Sequence, residues 1–188
     1  KSVDSSALLL DYWPVSATSP DSLHPVILKI HGGGWVAGSR RDLTGWNSYF
    51  NSMGYIVFDV DYTMKGGALW KQEIADLQCA LKWVRSQAGQ YHIDTNRISV
   101  MGYSAGAHLA MMVGYLGADS LLASPCAEPP VKIKTVINFY GPTDLVLAYN
   151  TTGSPEYSHQ VMGEYLGGQL AEYPDRYKLL SPIMHMNE

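Results

Sequence analysis

Two short runs hold residues whose types and spacing could do chemistry. Gly102-Tyr103-Ser104-Ala105-Gly106 sets one serine between two glycines in a G-x-S-x-G pattern. Upstream, His31-Gly32-Gly33-Gly34 sets three consecutive glycines after a histidine. A serine on a sharp strand-to-helix turn has its hydroxyl lifted clear of the sheet, ready to attack a carbonyl carbon. Glycines on both sides let neighbouring backbone pass without a Cβ clash. The helix behind such a serine adds free N–H groups and partial positive charge. Three glycines in a row let amides point into a cavity and stabilise the negative oxygen of a tetrahedral intermediate.

Each run also has a plainer reading. Serine is a common helix N-cap, and G-x-S-x-G alone arises easily by chance. Three glycines also make a flexible turn or a phosphate-binding loop. A phosphate loop would want G-x-x-x-x-G-K-[ST] or G-x-G-x-x-G before a helix, and neither is present. The nucleophile reading therefore depends on which elements flank the two runs.

Those elements are legible from pattern. Val26–Ile30 is a short β-branched run, read as a buried strand that feeds the triple glycine. Ile98–Met101 is a second strand feeding Gly102, and Ala107–Leu116 is a helix behind Ser104. Strands are also expected at Ala7–Tyr12, Tyr55–Val60 and Lys134–Tyr140, a loop at 16–25, and a turn at Asp94–Asn96. Leu43–Met53 reads as a helix ending at Gly54. Trp70, Ile74, Leu77, Leu81 and Val84 form one apolar helical face. Strands alternating with helices imply an α/β fold, with a mainly parallel sheet and helices on both faces, in one domain over 1–188. Ligands in such sheets bind at the carboxyl ends of strands, where both runs lie. Residues 143–180 are expected to form a small lid of loop and helix.

Composition narrows the function classes. The 188 residues carry 13 Lys and Arg against 17 Asp and Glu, a net charge of −4, with 46% hydrophobic residues. That balance offers no basic footprint for nucleic acid. The apolar run Leu109–Leu116 is too short to span a bilayer. Cys79 and Cys126 lack metal-site spacing, and their pairing is left open. Asn150-Thr151-Thr152 is a glycosylation sequon, usable only in a secreted protein. Secreted and cytoplasmic locations are both left open, as is the oligomeric state.

Taken together, these motifs resemble the α/β-hydrolase superfamily, most closely the hormone-sensitive-lipase-like and small carboxylesterases. The similarity runs through His31-Gly32-Gly33-Gly34-Trp35 with Gly38-Ser39, Asp59-Val60-Asp61-Tyr62, and Asp94-Thr95-Asn96-Arg97-Ile98. It continues through Gly102–Ala110, Tyr140-Gly141-Pro142-Thr143-Asp144-Leu145, Leu166-Gly167-Gly168, and Ser181-Pro182-Ile183. The resemblance implies an α/β-hydrolase fold and a serine hydrolase of carboxylic esters, acting on a small-molecule substrate without metal or organic cofactor. It implies Ser104 as nucleophile, the amides of Gly33, Gly34 and Ala105 as the oxyanion hole, and His31 with Gly32 as loop support. Trp35 and Tyr103 are candidates for the substrate pocket, with a core position the alternative for Trp35. Apart from the resemblance, Tyr149, Tyr157 and Tyr165 are candidates to face substrate from the lid, with tyrosines packing a surface loop as the alternative.

The pattern breaks at the rest of the catalytic triad. In this superfamily an acid and then a histidine follow the serine, each beyond a later strand. The chain reaches Glu188 before those strands, so a C-terminally truncated domain is expected. Asp144 and His185 satisfy the chain order, but Asp144 lies in the Gly-Pro-Thr-Asp turn and His185 in a segment where related enzymes carry a non-catalytic histidine. His159 lacks an orienting acid, and His108, four residues past Ser104, reads as a buried supporting histidine. Asp59 and Asp61 read as turn organisers, and His24 and His92 as solvated turn residues. A hydrolase-fold binding protein without a triad, and a peptidase or amidase of the same fold, are the alternative readings.

Overall fold

The computed structural model describes residues 8–15, 22–65, 68–116, 126–127, 129–151 and 153–186. Ala7, residues 16–21 and Thr152, which enter the expected first strand, the following loop and the sequon, lie outside the described residues. In chain order the strands are β1 (Leu10–Trp13), β2 (His24–Ile30), β3 (Ile56–Val60), β4 (Ile93–Tyr103) and β5 (Thr135–Phe139). The helices are α1 (Gly45–Ser52), α2 (Trp70–Ser86), α3 (Ala88–Tyr91), α4 (Ala105–Leu116), α5 (Leu145–Thr151), α6 (Pro155–Leu166) and α7 (Pro174–Leu179).

The strands form one sheet in the order β1-β3-β2-β4-β5. All neighbours are parallel except the edge pair β1 and β3. Alternation along the strands sorts side chains onto two faces. Val26, Leu28, Ile30, Phe58 and Val100 face the layer of α2 and α4, in the large core. Ile27, Val57 and Met101 face the other way, onto Phe50 of α1. Helices therefore cover both faces, as the alternating pattern implies.

The order explains where a site can form. From β2 the chain moves one way through α1 to β3, then returns through α2 to β4 on the other side of β2. In sheets of this kind such a reversal marks where ligands bind, here at the carboxyl ends of β2 and β4. Ile30 pairs with Gly102, so the chain leaves the sheet at His31 and at Ser104 side by side.

Several local expectations are corrected. β4 starts at Ile93, five residues before the expected strand. The register passes from His24–Ile93 directly to Val26–Ile98, so Asp94 to Arg97 bulge out within the strand. The turn chemistry is still present there, because Asp94 Oδ1 accepts the Asn96 amide at 2.9 Å. His24 is half-buried in β2 and is not a turn residue, whereas His92 is exposed in the left-handed position that closes α3. Asp59 organises no turn: on β3 it is buried and pairs with Lys29 of β2 at 3.1 Å, with Asn47 of α1 donating to its other oxygen. Two buried charges are tolerable because they neutralise each other and find further partners, Lys29 also donating to the Asp42 carbonyl at 2.8 Å.

The segment expected as a lid is built from α5, α6 and α7. Leu145, Val161, Met162, Tyr165, Leu166 and Tyr177 from these helices are buried, and all belong to the large core. Cys79 of α2 and Cys126 are joined in a disulfide, Cα atoms 5.6 Å apart, which settles the pairing left open by spacing. A bridge across a loop of this size stabilises by about 2–4 kcal/mol.

Candidate active site

Ser104 has φ 55°, in the left-handed region that a non-glycine residue rarely adopts. The turn needs this, because β4 ends at Tyr103 and α4 begins at Ala105. The Ser104 amide donates to the Phe139 carbonyl at 3.0 Å, and its carbonyl accepts the amides of Ala107 and His108 at 3.0 and 3.1 Å. Both flanking glycines are required by contact: a Cβ at Gly102 would collide with the Gly106 carbonyl, and one at Gly106 with the carbonyls of Ile30 and His31. Among buried neighbours on both sides, Ser104 alone is partly exposed.

The loop after β2 lies against this turn. A Cβ at Gly32 would stand 3.2 Å from Ser104 Cβ and 2.8 Å from the Tyr103 carbonyl. Gly33 and Gly34 have φ of 116° and 60°, and the Gly33 carbonyl is held by the Ala37 amide at 3.0 Å. Both are partly exposed. Among the described residues, the amides of Gly33, Gly34 and Ala105 donate to no backbone carbonyl. Three free donors beside a serine are the arrangement a developing oxyanion requires.

His31 is buried under this loop. Its Nδ1 bonds the Gly32 carbonyl at 2.7 Å, its carbonyl accepts the Tyr62 hydroxyl at 3.0 Å, and its ring stacks on Tyr62 at 4.3 Å. Burial lowers its pKa, although the Gly32 carbonyl pulls the other way. Asp61 accepts the Arg40 amide at 2.7 Å and the Arg40 guanidinium, which also pairs with Asp11 at 2.9 Å. Arg40, Asp61 and Tyr62 thus clamp the loop. Arg40 is the one of these that sequence reasoning did not single out.

Trp35 takes the core position. It is 3% exposed, stacks on Tyr165 of α6 at 4.8 Å, and donates its indole N–H to His108 Nδ1 at 3.2 Å. His108 Nε2 in turn donates to the Leu180 carbonyl at 2.7 Å. Full burial lowers the His108 pKa to about 4, so the ring is neutral. Tyr103 is also mostly buried, its ring packed against Gly32 and its pKa pushed up to about 12 by burial.

Among the described residues, the remaining candidates make no hydrogen bond to Ser104. Asp144 Oδ1 accepts the Leu147 amide at 2.9 Å, capping α5. His185 Nε2 bonds the Leu179 carbonyl at 2.6 Å, and His159 Nε2 bonds the Tyr149 carbonyl at 2.8 Å while stacking on the Tyr149 ring. His24 and His92 belong to the opposite, amino-terminal ends of β2 and β4. Tyr165 is fully buried, whereas Tyr157 is 58% exposed. Among the described residues, no histidine bonds Ser104 and no cluster of three His, Cys, Asp or Glu side chains could hold a metal. No described helix is long and apolar enough to cross a membrane.

A strained serine at a strand-to-helix turn, beside a glycine loop at a parallel-sheet switch point, can be compared with known proteins. The BD-FAE family model matches residues 12–188. The chain belongs to the BD-FAE family. Esterase LipQ of Mycobacterium tuberculosis is 27% identical over 185 residues, covering 95% of this chain and 42% of LipQ. Esterase LipC of the same organism is 31% identical over 144 residues, covering 75% of this chain and 35% of LipC. This BD-FAE chain thus spans less than half the length of these curated relatives. Native esterase 2 of Thermogutta terrifontis matches all of the chain and 64% of its own length, with a TM-score of 0.73 at 26% identity. A bifunctional GH43-CE protein of Bacteroides eggerthii matches with a TM-score of 0.79 at 25% identity, over 95% of this chain and 24% of its own. The fold is the α/β-hydrolase fold.

Proposed function

We propose that this chain carries the nucleophile and oxyanion hole of a serine carboxylesterase. The observation that carries the reading is Ser104 in a left-handed turn, with unengaged amides at Gly33 and Gly34 of the adjoining glycine loop and at Ala105, the next residue. Its esterase relatives, LipQ and LipC, support the same class.

In this reading Ser104 Oγ attacks the ester carbonyl carbon while a histidine removes its proton. The carbonyl oxygen gains the negative charge and is held by the three amides. The C–O bond to the alcohol then breaks, the histidine returns the proton to the departing alcohol, and water hydrolyses the acyl-serine by the same steps. None of the six histidines here is placed as that base. His31, His108, His159 and His185 are each bonded to a backbone carbonyl, and His24 and His92 lie at the far end of the sheet. The reading therefore needs a histidine, with its orienting acid, from outside these residues. Small esters are the proposed substrates, because α6 packs its side chains down onto the oxyanion loop.

Labelling with a fluorophosphonate, with the modified peptide mapped by mass spectrometry, tests this. Modification at Ser104, lost in Ser104→Ala, is expected wherever the base is present. Labelling at another residue, or unchanged hydrolysis of 4-nitrophenyl butyrate by Ser104→Ala in the whole protein, would refute the assignment.

A further inference from the structure

The oxyanion loop has a neighbour that the backbone mechanism does not use. On α6, Tyr157, Val161 and Tyr165 are spaced by four and so share one helical face. The stripe descends onto the loop after β2. Tyr165 is buried and stacks on Trp35 at 4.8 Å. One turn earlier, Val161 would stand 3.1 Å, at Cγ1, from a methyl placed on Gly34. One turn earlier again, the Tyr157 hydroxyl would stand 2.9 Å from that same methyl. The lower half of the face is thus fixed in the core, and the upper half brings a phenol to the rim of the loop.

This phenol is available for a ligand. Tyr157 is 58% exposed, and among the described residues its hydroxyl has no protein partner. Gly34 beside it is partly exposed, adopts φ 60° and has a free amide. The phenol therefore ends beside Gly34, a loop residue with an unengaged amide and a partly exposed backbone. The nearest other side chain there is the apolar Val161, so an entering carboxylic ester or carboxylate finds two polar groups and one apolar wall.

We infer that Tyr157 is a substrate-contacting specificity residue, whose hydroxyl bonds an oxygen of the ester or of its carboxylate product held at Gly34. The inference rests on the oxyanion reading of that loop. It does not need the general base, since a carboxylate can bind there without turnover.

Butyrate binding to the whole protein tests it, read from the amide signals of Gly33 and Gly34 in 1H–15N spectra. Wild type is expected to bind with shifts at these amides. Tyr157→Phe, which keeps the ring and removes one oxygen, is expected to weaken binding roughly 10- to 100-fold, as for a lost bond to a charged group. Unchanged spectra elsewhere would show that the variant is folded. Equal affinity in Tyr157→Phe overturns the inference, and so does a wild-type Gly34 amide that ignores butyrate. Butyrate binding that depends on Tyr157 in a whole protein whose Ser104 resists fluorophosphonate would sink the serine-esterase reading and leave Tyr157 in place.

Discussion

The indole N–H of Trp35 reaches Nδ1 of His108 across 3.2 Å, tying the glycine loop after β2 to the helix that starts behind Ser104. Because His108 spends its other nitrogen on the Leu180 carbonyl, one neutral imidazole joins three parts of the chain. Trp35→Phe keeps an aromatic face for Tyr165 but leaves a buried ring nitrogen without its donor. A buried acceptor left unpaired costs about 1–3 kcal/mol. Urea unfolding should show Trp35→Phe destabilised by that amount. A variant as stable as wild type would mean that this bond contributes nothing.

The same histidine should make stability depend on pH. Its folded pKa, about 4, lies below the ordinary 6.5, because a charged ring cannot be solvated there. Between these values the unfolded chain binds the proton and the folded chain does not. Its contribution is therefore complete above about pH 6.5 and is lost as pH falls toward 4. Relative to His108→Gln, wild type should lose about 2 kcal/mol between pH 7 and pH 5. Urea unfolding of both proteins at these two pH values measures it. A constant difference would mean that His108 titrates normally.

Glu73 should act with the opposite sign. It is fully buried on α2, neither carboxyl oxygen has a partner among the described residues, and burial with Asp76 nearby raises its pKa well above 4.5. The folded chain then keeps a proton that the unfolded chain releases. Stability from this group is full below about pH 4.5 and falls as pH rises, at a limiting slope of about 1.4 kcal/mol per pH unit. Glu73→Gln removes the titration, so the variant should gain on wild type as pH rises above about 4.5. If the two unfolding curves keep a fixed offset, Glu73 has found a charge partner and the burial argument fails.

The two chemical runs were legible because their glycines answer backbone demands that no other residue meets. Gly102 and Gly106 are pressed by carbonyls, and Gly33 and Gly34 have positive φ, so local sequence alone points to them. The strands feeding them were equally plain as apolar runs. What stayed hidden was set by tertiary contact. Asp94-Thr95-Asn96 reads as a turn because it makes one, and only the register against β2 shows the strand continuing around it. Asp59 reads as a turn organiser, and only the parallel pairing of β2 with β3 shows it buried against Lys29. The stretch 143–180 looks polar enough for a lid, yet the spacing of Val161, Tyr165 and Leu166 already carries the face that docks into the core. Cys79 and Cys126 meet only because α2 lies beside the segment holding Cys126.

The strain at Ser104 should be measurable apart from catalysis. At φ 55° a residue with a Cβ is disfavoured by about 1–2 kcal/mol, whereas glycine is not. Ser104→Ala removes the hydroxyl and keeps the Cβ, so it keeps the strain. Ser104→Gly removes both, offset in part by the greater freedom of glycine in the unfolded chain. Ser104→Gly should therefore be more stable than Ser104→Ala by about 1 kcal/mol, although neither can form an acyl-serine. Paired urea unfolding at pH 7 measures the difference free of any substrate. If Ser104→Ala proves equally or more stable, the left-handed turn is not strained in solution, and the case for Ser104 would rest on the amides around it alone.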